Sequence, residues 1–255
     1  MEGRSAMRTK SSWRTKGLLL VAVIPAFAAA LLVGSESPSH AVTISLDDPA
    51  TGGVDVILAD GAVGDVSPAA GVVTYAGSIA GTFWTVNVTT ALTYPALGTP
   101  GLAILDLNSV NATSSGAGAA SLTIMASETG YTGPISGGSA SFTHNVGGTT
   151  VGTASFAAYL DPGNALFTTT SLLGALGPFG PGAFSGTTTG SAATGSPFSL
   201  TLVASISHGA GGGSTSFDDE LTSVPEPATL LLLGSGLVGM GWFGRKRLKK
   251  NDREA

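Results

Sequence analysis

The sequence predicts an all-β protein in which one β-sandwich, jelly-roll-like domain lies between two apolar end segments. Short strand-like runs recur at spacings of roughly 10–20 residues. Gly, Pro, Asn and Asp separate these runs, and the 38 Gly and 13 Pro of the 255-residue chain are typical of a protein with many tight turns. No apolar stripe with the 3.6-residue period of a helix interrupts the pattern. The 43% hydrophobic content supplies the core that a sandwich needs.

The strand-like runs occupy residues 42–46, 54–59, 71–79, 82–94, 102–111, 121–127, 139–146, 153–160 and 197–208. The last run has the clearest two-residue period, because apolar residues recur at every second position from Phe198 to Ile206. In an earlier run Trp84 shares one face with Val86 and Val88, which predicts a core position for the tryptophan. About nine to eleven strands of this kind would form two packed antiparallel sheets.

Two segments rich in Gly and Ser are predicted to lie outside the strands. Residues 174–197 combine Gly, Pro, Ser and Thr, and we expect a long surface loop there. Residues 208–223 are predicted to be a flexible linker that follows a sandwich domain of residues 42–207. In this interpretation Asp218, Asp219 and Glu220 are solvated charges of the linker.

Residues 1–41 have the three parts of an export signal. A basic start ends at Lys16, residues 17–34 are uncharged and apolar, and a short polar stretch follows. Ser39 and Ala41 are small residues at the positions that signal peptidase reads, so we expect cleavage between Ala41 and Val42. The alternative is an uncleaved membrane anchor, because the apolar run is somewhat long.

Residues 228–243 form a second uncharged and largely apolar run, which would make about 24 Å of helix. This length is slightly short for a hydrocarbon core of about 30 Å, but membranes tolerate a small mismatch. The basic cluster that follows favours the cytoplasmic side. The sequence therefore predicts a transmembrane helix here, with everything between the two apolar runs outside the inner membrane.

Residues 224–250 resemble the PEP-CTERM sorting signal of exported proteins in Gram-negative bacteria. Its Pro-Glu-Pro box is matched by Pro225, Glu226 and Pro227, and its basic stop by Arg245, Lys246 and Arg247. The resemblance implies processing by an exosortase near the box, after transient anchoring in the inner membrane, and delivery to the cell surface or the extracellular polysaccharide matrix. The alternative is a plain membrane anchor in which the box occurs by chance.

The distribution of charge limits the partners of the domain between the signals. All 11 Lys and Arg residues lie in the two end segments, so the central domain carries only acidic charges. This excludes nucleic acids and anionic membrane surfaces as partners and suits cations, neutral glycans or a basic protein. The chain has no Cys, which excludes disulfides, thiolate metal sites and a thiol nucleophile.

Candidates for chemistry are few. Asp47, Asp48, Asp55, Asp60 and Asp65 cluster near the start of the domain. They fit turn residues best, but the same carboxylates could form a structural Ca²⁺ site or the acid–base pair of a glycosidase. We expect no other cofactor. The histidines of the domain are predicted to be structural.

Three functions remain open at this point. The first is a non-enzymatic exported protein that helps to build or bind the extracellular matrix. The second is a secreted glycan-active enzyme that uses Asp carboxylates. The third is a Ca²⁺-dependent adhesin or lectin-like module. We favour the first, because most enzymes keep a basic residue to stabilise developing negative charge.

Overall fold

The computed structural model describes residues 42–225, 235–238 and 240. The first of these ranges forms β1 (Thr43–Asp47), β2 (Val56–Ala59), β3 (Val72–Ser78), β4 (Trp84–Leu92), β5 (Ile104–Ser114), β6 (Ala120–Tyr131), β7 (Ser139–Thr150), β8 (Thr153–Asp161), β9 (Ser171–Phe179), β10 (Gly182–Ala193), β11 (Phe198–His208) and β12 (Gly213–Ser223). Every run that the sequence predicts to be a strand overlaps one of them. The prediction of an all-β sandwich is confirmed.

The strands form two six-stranded antiparallel sheets. The first sheet has the order β2-β1-β6-β11-β8-β9, and the second has the order β10-β7-β12-β5-β4-β3. Strands β5 to β12 have the strand order of an eight-stranded jelly roll, with β5-β12-β7-β10 in one sheet and β6-β11-β8-β9 in the other. The four earlier strands extend one side of this unit. In a jelly roll the last strand pairs with the first, so β12 lies inside its sheet.

The core lies between the two sheets and is filled by alternate residues of each strand. Its largest fully buried side chains include Trp84, Tyr131, Phe142, Phe198 and Phe217. Burial of a large apolar side chain contributes about 1.5–3 kcal/mol to stability. Polar residues at the intervening positions cover the outer faces, which explains why the two-residue period in the sequence located the strands.

The prediction of a long loop at residues 174–197 is wrong, because this segment contributes to β9 and contains β10. Gly and small polar residues occur here because two strands approach closely at one side of the sandwich. A Cβ atom at Gly190 would overlap the backbone carbonyl of Leu173. The composition rich in Gly was interpreted as that of an irregular loop, although it reflects this close approach of two strands.

The prediction of a flexible linker at residues 208–223 is also wrong. His208 ends β11, and Gly213–Ser223 form β12 between β7 and β5. Phe217 and Leu221 are buried in the core, and polar residues at the alternate positions had obscured this pattern. The described β-domain therefore extends to the Pro-Glu-Pro box.

The described residues include part of the predicted transmembrane helix. Residues 235–238 and 240 are helical, while the other residues of the run 228–243 and the whole predicted signal peptide lie outside the described residues. No helix within the described part is long and apolar enough to cross a membrane.

Candidate functional site

The antiparallel pairing brings the first and last residues of the domain to the same end of the sandwich. Thr43 of β1 pairs with Ser127 near the end of β6, and Thr222 of β12 pairs with Ile104 at the start of β5. The two sheets are joined at this end, because the Tyr131 hydroxyl donates to the Ile104 carbonyl at 2.8 Å. We call it the termini-bearing end, and its loops are residues 60–71, 93–103, 132–138, 162–170 and 194–197.

The C-terminal exit of the domain is held by backbone hydrogen bonds. The Ser223 amide donates to the Ala103 carbonyl at 2.8 Å, and the Val224 amide donates to the Ser141 carbonyl at 2.8 Å. Ser223 is 2% exposed, whereas Val224 is 42% exposed. Pro225, the first residue of the predicted box, follows directly. Glu226 and Pro227 lie outside the described residues, as do Arg245, Lys246 and Arg247.

Burial and backbone hydrogen bonds also fix the N-terminal junction of the domain. Val42 is fully buried, and its carbonyl accepts a hydrogen bond from the Asp60 amide at 3.0 Å. The Asp60 carboxylate in turn accepts from the Gly71 amide at 2.6 Å. The predicted signal-peptidase bond, between Ala41 and Val42, therefore borders the folded domain, although Ala41 itself lies outside the described residues.

A cavity of about 320 Å³ opens at the termini-bearing end beside the C-terminal exit. Pro134 and Ile135 of the loop between β6 and β7 form one wall, and the rest of the lining consists of Val224 and four serines, Ser136, Ser139, Ser141 and Ser191. The last described residues before the box thus form part of a concave surface. Its polar groups are hydroxyls, and no charged side chain lines it.

Four of the five Asp residues in the first 25 positions of the domain fix local backbone, whereas Asp47 Oδ1 is buried without a hydrogen-bond partner among the described residues. The carboxylates of Asp48, Asp55, Asp60 and Asp65 all accept backbone N–H groups, from Ala50, Asp48, Gly71 and Gly61 respectively. Asp65 also accepts from the Thr74 amide at 2.9 Å. These contacts agree with the interpretation as turn residues. Among the described residues, no three His, Asp or Glu side chains are arranged to hold a metal ion.

Asp218, Asp219 and Glu220 belong to β12, so their interpretation as charges of a linker is wrong. Asp218 is exposed and Glu220 partly exposed, but Asp219 is not solvated. Asp218 accepts the Ser109 amide at 2.6 Å and fixes a β-bulge in the pairing of β12 with β5. Asp219 is fully buried, and its Oδ1 lies 2.6 Å from His144 Nε2. Burial raises the pKa of Asp219 above its usual range. Glu220 lies opposite Asp106 on the outer face of the second sheet.

Two further carboxyl groups with perturbed acidity were missed by sequence reasoning. Burial and the nearby Glu220 charge raise the pKa of Asp106 to about 7. Burial also raises the pKa of Glu128 to about 7, although the Thr129 amide donates to this side chain and opposes the shift. Glu128 points into the core at a position that alternates with polar residues of β6. Sequence reasoning could have found Glu128 only from its position in β6, because it occupies one of the alternate positions that are otherwise apolar and buried.

The prediction of a core position for Trp84 is confirmed, because its side chain is 1% exposed. Its Nε1 donates to the Ser121 carbonyl at 3.0 Å, and its ring lies 4.8 Å from the His208 ring. The His208 nitrogens lie within hydrogen-bond distance of the Ser114 and Thr215 hydroxyls, at 2.9 and 2.8 Å. Burial lowers the pKa of His208. His208 is therefore a structural residue with satisfied nitrogens.

The opposite end of the sandwich carries a groove of about 390 Å³. Phe83 lines this groove and is 42% exposed. Its ring packs against Gly118, where an added Cβ would lie 3.2 Å from the nearest ring atom. Asp48 and Thr51 line the other side. An exposed aromatic ring beside oxygen-bearing groups can bind a ligand that has an apolar face and hydroxyls. Phe83 directly precedes the buried Trp84 in the chain, and sequence reasoning did not single it out.

The comparison with known families bears on the C-terminal exit. Residues 223–247 match the PEP-CTERM protein-sorting motif. This chain carries a PEP-CTERM sorting motif. The motif implies export, transient membrane anchoring and processing by an exosortase. It begins at Ser223, the last residue of β12, so the PEP-CTERM motif starts where the sandwich ends.

Comparisons with whole proteins add little to the motif. No curated protein sequence matches the chain. Among solved structures, the K1 cleaved adhesin domain of Lys-gingipain from Porphyromonas gingivalis W83 is similar at 12% identity and a TM-score of 0.30, over 63% of this chain and 95% of that one. An isomalto-dextranase from Arthrobacter globiformis T6 in complex with panose is similar at 11% identity and a TM-score of 0.26. That match covers 72% of this chain but 30% of the dextranase. Similarities at this level carry no functional conclusion.

Proposed function

We propose that this protein is an exported surface or matrix protein whose β-sandwich has no enzymatic activity. Exosortase processes its C-terminus and delivers the domain to the cell surface, where it helps to build or bind extracellular polysaccharide. The observation that carries the proposal is the PEP-CTERM motif at residues 223–247, which begins at the last residue of β12. The predicted C-terminal membrane segment therefore leaves the domain from the termini-bearing end.

This arrangement orders the steps of export. Signal peptidase acts before β1 has folded, because Val42 is fully buried in the folded domain. The domain then remains attached through the C-terminal segment alone. The termini-bearing end faces the membrane, and the two outer sheet faces and the opposite end point away from it. Ligands of the matrix meet these free surfaces first.

Neutral glycans are the partners that suit these surfaces. The outer face of the second sheet presents hydroxyls and amides, including Thr187, whose Oγ1 donates to Asn145 Oδ1 at 2.9 Å. No Lys or Arg lies between residues 17 and 244, so the domain lacks the cations that bind acidic polymers. The groove beside Phe83 adds an aromatic surface. A role without catalysis is supported by the Asp48, Asp60 and Asp65 carboxylates, which are engaged by backbone amides.

The experiment compares the full chain in a host that contains exosortase and in an otherwise identical host that lacks it. A variant with Pro225, Glu226 and Pro227 replaced by Ala serves as the matched control. We expect the wild-type chain to lose its tail and leave the inner-membrane fraction only where exosortase is present, and the variant to stay anchored. Equal anchoring of both chains in both hosts would show that the tail is a plain anchor and would overturn the proposal.

A further inference from the structure

We propose that β10 is a docking edge for a second copy of this chain, and that two copies pair along it, antiparallel, as a closed dimer. The second sheet of one copy then continues into the second sheet of the other. This pairing concerns the sandwich itself and does not depend on processing by an exosortase.

The four sheet edges of the sandwich are not protected alike. An open edge strand can pair with another chain, so folded proteins usually shorten, bend or cover such strands. Of the edge strands of the first sheet, β2 has only four residues, and β9 contains Pro178 and is irregular at two points of its pairing with β8. In the second sheet a loop covers the edge of β3, because the Val66 amide donates to the Thr74 carbonyl at 3.0 Å and the Thr74 amide donates to Asp65 at 2.9 Å.

The fourth edge strand, β10, has none of these protections. Its 12 residues include no Pro and no charged side chain. It pairs with β7 over its whole length without an irregularity, and no strand of the described residues lies beyond it in the sheet. β10 therefore presents a long, regular edge that another strand can join.

The pairing with β7 shows which backbone groups of β10 face the open side. The Thr194 amide donates to the Gly138 carbonyl at 2.9 Å, so even-numbered residues at this edge direct their amides and carbonyls at β7. These directions alternate along an antiparallel strand. The backbone groups of the odd-numbered residues therefore point away from β7. These six residues are all exposed, and they are Ala183, Ser185, Thr187, Thr189, Ser191 and Ala193.

The six outward residues read the same in both directions, as Ala, Ser, Thr, Thr, Ser and Ala. A two-fold axis at Thr188 therefore places like residues opposite each other, with Thr187 facing Thr189 of the second copy and the Ser and Ala residues paired in the same way. Cross-strand hydroxyl pairs of this kind stabilise antiparallel strands. Each copy also contributes six N–H and six C=O groups, which the pairing joins in hydrogen bonds. This self-complementarity is what a two-fold interface requires, and it favours a second copy over an unrelated strand.

The distribution of charge favours the same partner. The domain contains acidic residues but no Lys or Arg, so two copies repel each other through most of their surface. No Asp or Glu occurs from residue 129 to 160 or from residue 162 to 217, and these intervals supply β7, β9 and β10. The open edge thus lies on an uncharged side of an acidic domain. A basic partner would be attracted to the acidic strands instead.

The geometry of the pairing limits where the dimer forms. An antiparallel pair turns one copy end over end, so the termini-bearing ends of the two copies point in opposite directions. Two copies that are held at one membrane by this end cannot pair in this way. If the chain is anchored and released as in the proposed function, the dimer therefore forms after release.

Disulfide trapping tests the edge and its register together. The chain has no Cys, so Thr187→Cys and Thr189→Cys each introduce a single thiol. The two full-length variants are purified separately in detergent, mixed and oxidised. In the proposed register the two positions lie opposite each other, with Cα atoms about 5.5 Å apart, which a disulfide can bridge. In a pair of identical variants the thiols are offset by two residues, and the Cα atoms lie beyond the limit of about 7 Å. We expect severalfold more disulfide-linked dimer in the mixture than in either variant alone.

Two further variants serve as controls. Thr85→Cys places a thiol on an exposed position of β4 in the same sheet and measures chance collisions in the micelles. Ser191→Pro, added to both trapping variants, removes an amide that points away from β7, so it blocks pairing between copies but leaves the ladder within each copy intact. We expect it to abolish the cross-link while the far-UV circular dichroism of the chain stays unchanged.

Equal amounts of linked dimer in the mixture, in each single variant and in Thr85→Cys would overturn the proposal. A cross-link that persists in the presence of Ser191→Pro would also overturn it. A thiol at residue 187 that links to another protein of the host, and not to the second variant, would show that β10 binds a different partner and would overturn it as well.

Discussion

His144 Nε2 and Asp219 Oδ1 lie 2.6 Å apart in the core of the sandwich, although 75 positions separate the two residues in the chain. His144 belongs to β7 and Asp219 to β12, and both side chains are almost completely buried. The other two polar atoms of the pair, His144 Nδ1 and Asp219 Oδ2, have no hydrogen-bond partner among the described residues. The hydrogen bond between them therefore offsets the cost of burying both polar side chains. It also links β12, the last strand, to its neighbour β7.

We expect the substitution Asp219→Ala to destabilise the domain strongly, because it leaves His144 buried without a partner. The loss in the free energy of unfolding should be about 3 kcal/mol. Urea denaturation of the processed protein measures it. The control Ser185→Ala changes an exposed residue of β10, and its effect should stay within about 0.5 kcal/mol. Equal effects of the two substitutions would show that the buried pair does not stabilise β12.

The raised pKa of Glu128 predicts a pH dependence of stability. The folded state holds the neutral carboxyl, with a pKa of about 7 against the usual 4.5. The unfolded state binds fewer protons between these values, so the contribution of Glu128 to stability is full below pH 4.5 and is lost as the pH rises through 7. The maximal slope is on the order of 1.4 kcal/mol per pH unit.

The variant Glu128→Gln isolates this contribution, because Gln has a similar shape and does not titrate. We expect the stability difference between wild type and variant to change between pH 4.5 and pH 7 in favour of the variant. Burial lowers the pKa of His208, so the contribution of His208 changes in the opposite direction with pH. It is common to both proteins and cancels in the difference. A pH-independent difference would contradict the prediction.

The close approach of β9 and β10 predicts a different sensitivity at two glycines. Gly190→Ala would place a Cβ against the Leu173 backbone, which cannot move without shifting its strand, and should cost about 2 kcal/mol. Gly180→Ala, in the turn between the same strands, meets no atom within 4 Å and should be close to neutral. Thermal unfolding of the two variants compares them directly. Equal melting temperatures would contradict the packing described for this side of the sandwich.

We predict that Phe83, which lines the groove at the end opposite the termini, contributes to polysaccharide binding. We expect Phe83→Ala to reduce the retention of the processed protein on an insoluble neutral polysaccharide about tenfold, which corresponds to about 1.4 kcal/mol. Leu172→Ala removes an apolar side chain of β9 that is also exposed and is the matched control. Retention that is equal for the two variants and the wild type would exclude the Phe83 groove as the binding site.

Several parts of the fold could be predicted from the sequence because their physical cause is local. The alternation in β11 reflects one buried and one outer face, and the core position of Trp84 follows from the same rule. Strands β9, β10 and β12 were missed because their small and polar residues resemble those of loops. What makes them strands is pairing with distant segments, such as that of Thr188 with His144, and no local pattern contains this information.

The candidate site likewise combines features that are local in the sequence with contacts between distant residues that the sequence does not reveal. The Pro-Glu-Pro box and its basic stop are contiguous in the sequence and were found there. The hydrogen bonds that hold Ser223 and Val224 depend on Ala103 and Ser141, which are far away in the chain. Asp219 was interpreted as a solvated charge because residues 208–223 were predicted to be a flexible linker. Its burial follows from the central place of β12, which becomes apparent only from the jelly-roll strand order.

The orientation of the anchored precursor at the membrane is the decisive test of the proposed function. The chain has no Cys, so one fluorophore can be attached through Gly195→Cys at the termini-bearing end or through Gly180→Cys at the opposite end, two positions with open space around them. The precursor is placed in vesicles whose lipid headgroups carry a quencher. We predict strong quenching of the label at residue 195 and weak quenching at residue 180. Equal quenching at the two positions, or stronger quenching at residue 180, would contradict the proposal that the termini-bearing end faces the membrane.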